Sequence, residues 1–63
     1  MKQYEIYFPQ HKETVIGNEL DNLNLKKALK QGKIIEEISA IDDKYMVIDL
    51  SKAEMIKTIE KEF

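Results

Sequence analysis

Apolar residues recur at every second position in two segments of the chain. Tyr4, Ile6 and Phe8 alternate with more polar neighbours, and a second series begins at Met46 and continues through Ile48 to Leu50. Successive side chains of a β-strand point to opposite faces, so this spacing predicts strands with one buried face. With only 63 residues available, we expect a thin core built on antiparallel strands.

A turn and a second β-rich run follow the first strand. Pro9 ends that strand because proline lacks the N–H that a strand ladder requires. Residues 14–16 form a short run of β-branched residues that ends at Gly17. We therefore predict that they pair back on the first strand as a hairpin.

The residues between the two apolar series predict a short helix within residues 20–33. Leu25, Ala28 and Leu29 have the spacing of one helical face, and Gly32 is suited to end the helix in a left-handed conformation. Three residues could cap its start: Asp21, Asn22 and Asn24.

Residues 34–41 and 45–50 predict a second hairpin, joined by the acidic turn at residues 42–44. In its first strand we place Ile34 and Ile38 on the core face, together with Ala40. In its second strand the core face carries Met46, Ile48 and Leu50.

The last 13 residues predict a second amphipathic helix. Ser51 and Glu54 match a capping box, in which each side chain bonds the backbone near the other. The apolar residues that follow have helical spacing: Met55, Ile56, Ile59 and Phe63.

The fold class predicted from these elements is α+β. We expect a β-β-α-β-β-α order in one domain that spans residues 1–63, with an antiparallel sheet and two helices on one of its faces. The alternative is a β-α-β-β-α fold, which results if residues 14–16 are irregular.

Composition narrows the classes of function. The chain has no Cys, which excludes disulfides and thiolate chemistry. Its net charge is −2, and all ten basic residues are Lys, with no Arg for bidentate phosphate or guanine contacts.

No apolar run has the length of a membrane span and no signal peptide is recognisable, so we expect a cytoplasmic protein without a membrane partner. The abundance of Lys and Ile is typical of A/T-rich coding sequence and indicates a low-G+C bacterium, a plasmid or a phage.

Apolar residues on the second sheet face predict a surface for protein contact. If one face of the strands packs on the helices, the other still carries Tyr7, Val15, Ile35, Tyr45 and Val47. The contact residues predicted among them are Tyr7, Ile35, Tyr45 and Val47. Tyrosine is enriched at interfaces, and small cores gain stability by association. The main hypothesis is therefore a small non-enzymatic, regulatory interaction module. Its partner is another protein or a second copy of this chain as a homodimer.

A basic patch supplies the alternative hypothesis, a weak and non-specific nucleic-acid binder. The patch has no acidic residue within it and consists of Lys26, Lys27, Lys30 and Lys33. Such residues can grip phosphates, but no aromatic residue is interleaved with them to stack on bases. A solvated helix face is the preferred explanation, because clustered surface lysines are ordinary and suit the helix dipole, so nucleic acid is the less favoured partner.

The chain offers little for catalysis or for metal binding. His11 is the only histidine and lies in a predicted turn, without a Cys and with only Ser39 and Ser51 as candidate nucleophiles. The acidic hairpin from Glu36 to Asp49 lacks the spacing of a calcium loop. We interpret it as a solvated hairpin, with mimicry of nucleic-acid phosphates as a variant. We expect no enzyme activity, no cofactor and no metal site.

Overall fold

The computed structural model describes residues 2–60. Two hairpins, two short helices, one 3-10 turn and a last strand follow one another along the chain. Their bounds are β1 Lys2–Tyr7, β2 Lys12–Val15, α1 Asn18–Asp21, α2 Leu25–Gln31, β3 Ile34–Ile38, β4 Tyr45–Asp49, the 3-10 turn Leu50–Lys52 and β5 Met55–Glu60. These elements confirm the predicted α+β class.

The strands form two antiparallel sheets, where the sequence predicted one. The first sheet has the order β2-β1-β5, and the second consists of β3 and β4 alone. In the first sheet Tyr4 lies opposite Val15, which confirms the first hairpin. In the second, Ile38 lies opposite Tyr45, which confirms the second hairpin. Because β2 is a regular strand, the alternative with irregular residues 14–16 does not apply.

Both sheets and both helices contribute to one apolar core. The buried members of the core cluster are Tyr4, Ile6, Val15, Leu20, Ala28, Ile35, Ile48 and Leu50. Tyr4 and Ile6 come from the alternating face of β1, and Ile48 and Leu50 come from the predicted core face of β4 and the turn after it. Met46, the third residue of that predicted face, packs against the cluster while half-buried.

Local signals define α2 at both ends. The Asn24 side chain accepts a hydrogen bond from the Lys27 N–H at 3.2 Å, as expected of a helix N-cap. Gly32 follows the last helical residue with φ of 64°, a left-handed conformation that glycine adopts without a steric penalty. The predicted helix is therefore confirmed, and Asn24 is its cap.

The predicted C-terminal helix is wrong within the described residues, because residues 55–60 form strand β5. Six residues of β5 pair with β1 in antiparallel register, from Met55 opposite Tyr7 to Glu60 opposite Lys2. Ser51 does not form a capping box; its N–H and hydroxyl both donate to Asp49, which caps the 3-10 turn. The predicted contact of Phe63 lies outside the described residues.

The predicted faces of β3 are also reversed. Ile35 is buried in the core, whereas Ile34 and Ile38 are exposed. Strand geometry sends alternate residues to opposite faces, so a one-residue error in the interpretation exchanges the whole set. Ala40 follows β3 and is exposed as well.

No helix among residues 2–60 has the length and apolar character needed to cross a membrane. The longest is α2, with seven residues. Each helix is too short to be stable alone, so both depend on packing against the sheets.

Candidate protein-interaction site

Several exposed apolar side chains lie on the face of the β3–β4 hairpin that points away from the core, called here the outer face. Its residues are Ile34, Glu36 and Ile38 on β3, and Tyr45, Val47 and the half-buried Asp49 on β4. The four apolar side chains among them are each between 59% and 62% exposed. The strand register brings them together, with Ile38 opposite Tyr45 and Val47 opposite Glu36.

A hydrogen bond orients the Glu36 carboxylate on the outer face. The Tyr45 hydroxyl donates to Glu36 Oε1 at 2.6 Å. This bond to the carboxylate is the main reason that the pKa of Tyr45 is raised above its ordinary value. Tyr45 and Glu36 lie diagonally across the hairpin, a distance that a long aromatic side chain spans. The outer face therefore has four apolar side chains and two carboxylates, one oriented by Tyr45 and the other, Asp49 opposite Ile34, bonded to Ser51.

Glu37 explains why Ile34 and Ile38 point outward. It is only 5% exposed, and its Oε2 accepts a hydrogen bond from the Leu20 N–H at 3.0 Å. Its Oε1 accepts from the Ile38 N–H at 3.2 Å. The carboxylate lies against Gly17, where a Cβ would overlap it. These contacts satisfy Glu37 in the interior and fix the register that exposes its neighbours.

Two of the four predicted contact residues lie on the outer face, and two do not. Tyr45 and Val47 are there as expected. Ile35 is only 7% exposed, Val15 is fully buried, and both belong to the core, so their assignment to an open face is wrong. Tyr7 is half-buried on β1, in the other sheet, where its hydroxyl donates to Glu5 at 3.2 Å. The other exposed apolar residues of the outer face are Ile34 and Ile38.

A groove runs beside the outer face, along the edge of β3 that has no strand neighbour among residues 2–60. Its volume is about 670 Å³. One wall is β3 itself, and the other is the segment from Gly17 through α1 to Leu23. Four carboxylic acids and one Lys line it: Glu19, Glu36, Glu37, Asp43 and Lys33. We call this the β3 groove.

The basic patch is exposed and belongs to α2 and to the segment that joins it to β3. Lys26, Lys27 and Lys30 are on α2, and Lys33 follows the helix. None of the ion pairs within residues 2–60 includes any of these four side chains. Lys33 alone also reaches the β3 groove. Exposed lysines of this kind are typical of a solvated helix face. Nucleic-acid binding by these lysines stays a prediction.

The residues of the acidic hairpin have separate structural roles. Asp49 accepts from Ser51, and this hydrogen bond is the main reason that its pKa is lowered. Asp42 accepts from the Lys44 N–H at 3.2 Å, and Asp43 has φ of 55° in the turn. Within residues 2–60, no three His, Asp or Glu side chains are grouped in a way that could hold a metal ion.

His11 lies in the β1–β2 turn and packs on an aromatic ring. Its imidazole stacks on Phe8 with 4.8 Å between ring centroids, and its Nε2 lies 3.6 Å from Glu13 Oε1. The two candidate nucleophiles have other partners: the Ser39 hydroxyl accepts from the Ile16 N–H at 3.5 Å, and Ser51 donates to Asp49. The contacts of His11 are those of a turn residue.

Comparison of the chain with protein-family models, with curated proteins and with solved structures found no match.

Proposed function

We propose that the protein is a small non-enzymatic interaction module that binds another protein through the outer face of the β3–β4 hairpin. The observation that carries the proposal is the exposure of Ile34, Ile38, Tyr45 and Val47 on one face of one hairpin. An antiparallel sheet that leaves a face to water usually makes that face polar. Here the exposed face is mainly apolar.

Single exposed apolar side chains are ordinary and need no functional explanation. A group of them on one surface is different, because contiguous apolar patches on monomeric proteins frequently mark binding sites. The cross-strand register places Ile38 opposite Tyr45 and sets Val47 diagonal to both Ile34 and Ile38. Burial against a partner would remove their apolar surface from water, which stabilises association by about 25 cal/mol per Å² before the costs of binding.

The Glu36–Tyr45 pair adds selectivity to the apolar surface. Both side chains are exposed, so a partner must either leave this hydrogen bond accessible to water or supply a donor to the Glu36 carboxylate. A partner without such a donor would bury Glu36 at a cost. The outer face therefore favours partners that combine an apolar surface with a donor or a cation.

Partner capture by variants with matched controls tests the proposal. Tagged wild type, Tyr45→Lys and Val47→Lys are compared in the organism that produces the protein, beside a variant in which Lys26, Lys27 and Lys30 become Gln. A protein that binds to the wild type should be lost from both Lys variants, since an unpaired buried ammonium costs several kcal/mol. The Gln variant should retain it.

Two further measurements test the alternative partners, a second copy of the chain and nucleic acid. Sedimentation velocity on the same four proteins shows whether the partner is a second copy of the chain. Oligonucleotide binding that is salt-dependent and lost in the Gln variant, while the Lys variants bind normally, would contradict the proposal and support nucleic-acid binding. Far-ultraviolet circular dichroism confirms that each variant is folded.

A further inference from the structure

The edge of β3 beside the groove has backbone groups available for pairing. The Leu50 N–H donates to Lys33 O, and the Ser39 N–H donates to Lys44 O, each at 2.9 Å. In an antiparallel pair, alternate residues form these bonds. The residues between them, Ile34 and Glu36, therefore direct their N–H and C=O groups away from β4 and toward the β3 groove.

At the C-terminal end of β3, backbone groups on this edge already have partners. At the end with Ile34 and Glu36, no partner from residues 2–60 covers the edge. The Ala40 N–H donates to Ile16 O at 2.7 Å, and the Ile38 N–H is taken by the Glu37 side chain. Among residues 2–60, β3 has no strand partner other than β4. The N–H groups of Ile34 and Glu36 are about 7 Å apart, the spacing that one added strand can match.

We propose that the β3 groove takes an extended, basic segment of a partner protein as an added strand along β3. This inference rests on the proposed function and specifies how the partner binds. Strand addition gives affinity through main-chain hydrogen bonds and selectivity through alternate side chains. On the outer face, the added strand places apolar residues beside Ile34 and Ile38 and a Lys or Arg beside Glu36.

The charge of the groove selects a basic occupant over a second copy of this chain. Four of its five charged lining residues are acidic. Antiparallel pairing of β3 with its own copy, with Ile34 beside Ile38, would set Glu36 against Glu36. Like charges directly opposite one another destabilise a strand pair. A cation at that position instead neutralises the carboxylate that Tyr45 orients.

Titration of the ¹⁵N-labelled protein with short peptides tests the inference by nuclear magnetic resonance. The probe is the capped peptide Thr-Val-Thr-Lys-Thr-Val-Thr, and the matched control has Glu in place of Lys. We expect the Lys peptide to bind at least about fivefold more tightly, because cross-strand charge pairs change sign between the two peptides. At saturation it should slow amide exchange at Ile34 and Glu36, whose N–H groups then become hydrogen-bonded.

Proline variants separate edge pairing from contact with the outer face. Glu36→Pro removes the N–H at the β3 edge, whereas Glu36→Ala removes only the carboxylate. Val47 lies opposite Glu36 and directs its N–H to the other edge of the hairpin, so Val47→Pro, compared with Val47→Ala, is the matched control. Peptide binding should be lost in Glu36→Pro, weakened in Glu36→Ala and equal in the two Val47 variants.

Two results would overturn the inference, and neither depends on the proline variants folding. In the first, the peptide shifts Tyr45 and Val47 without slowing exchange at Ile34 and Glu36. The partner would then contact the outer face alone, and the proposed function would stand. In the second, neither peptide binds at millimolar concentration. Strand addition then fails, while partner capture by Tyr45→Lys and Val47→Lys decides the proposed function separately.

Discussion

Glu37 connects the β3–β4 hairpin to the start of α1. Its carboxylate accepts N–H bonds from Leu20 and Ile38, and Gly17 leaves the space that it occupies. The N-cap position of α1 is Gly17, which has no side chain to accept from the first helical turn. A residue from a distant strand thus performs the capping that a local side chain usually supplies.

Gly17→Ala should destabilise the protein because the new methyl group would displace the Glu37 carboxylate. The displacement breaks hydrogen bonds to a charged group, which contribute about 1.5–3 kcal/mol each. Urea denaturation should show a loss of that order. Asn18→Ala, a change at the next and exposed position, is the control and should have little effect.

A double-mutant cycle with Glu37→Ala checks the stated cause. If the methyl group acts by displacing this carboxylate, Gly17→Ala should cost much less when residue 37 is already Ala. Additive losses would show that Gly17 is needed for another reason.

Tyr4 makes stability depend on pH in the alkaline range. It is 2% exposed, and its hydroxyl donates to Asp21 Oδ1 at 2.8 Å. Burial, with this hydrogen bond as the next cause, raises the pKa of Tyr4 to about 12. The pKa of tyrosine in an unfolded chain is about 10, so the folded state holds the proton more tightly.

The free energy of unfolding should therefore fall as pH rises from about 10 to about 12, by up to about 1.4 kcal/mol per pH unit from this residue. Below pH of about 10 the contribution is fully present. Urea denaturation of wild type and Tyr4→Phe between pH 8 and 11 measures it. The wild type should lose stability faster than the variant above pH 10; parallel curves would contradict the assignment.

The sequence of β3 does not determine which of its two faces is buried. Either register of residues 34–38 buries at least one Ile and one Glu, so alternation does not distinguish them. The deciding contacts are those of Glu37 with Gly17 and Leu20, about 20 residues earlier in the chain. Such long-range contacts leave no local pattern, and the exposed positions of Ile34 and Ile38 could not be predicted.

At the scale of elements, α2 and the two hairpins were predictable because their signals are local. Asn24 and Gly32 mark the two ends of α2, and alternation identifies β1 and β4. The C-terminal segment has both patterns, since Ile56 and Ile59 fit a helix while β-branched residues also favour strands. Pairing with β1 decides the outcome, because it provides β1 with a second neighbour along six residues.

A pair of proline substitutions distinguishes the strand from the helix. The Phe8 N–H donates to His11 O at 2.8 Å, which makes Phe8 and His11 a hydrogen-bonded pair of the β1–β2 ladder. Alternation along β1 then places Glu5 as a donor and acceptor toward Lys57, its partner in β5. The neighbouring Thr58 directs its N–H away from β1.

Lys57→Pro should therefore cost about 1–3 kcal/mol more than Thr58→Pro, since it leaves a ladder acceptor on β1 unpaired. Chemical denaturation of both, with Lys57→Ala and Thr58→Ala as controls, gives the difference. In a helix over residues 52–63 both prolines would be interior and each would cost about 3 kcal/mol. Equal and large losses would therefore contradict the strand.

At the scale of the whole molecule, the division into two sheets creates the candidate site. The inner face of the β3–β4 hairpin shares the core with the first sheet, and among residues 2–60 the outer face is left to solvent. Tyr45 and Val47 could be placed there from sequence because their strand alternates clearly. The β3 groove could not, because it forms between β3 and α1, and no sequence signal predicted α1.

Photo-crosslinking shows whether a partner protein lies against the outer face. A photoreactive amino acid is placed at Val47 or Ile38 on the outer face, and at Lys52, an exposed residue of the 3-10 turn, as the control. Irradiation in the organism that produces the protein should join positions 47 and 38 to the same protein and leave position 52 without that product. The product should disappear when Tyr45→Lys is added. Equal crosslinking from all three positions, or a specific product from position 52 alone, would contradict the assignment of the outer face as the binding surface.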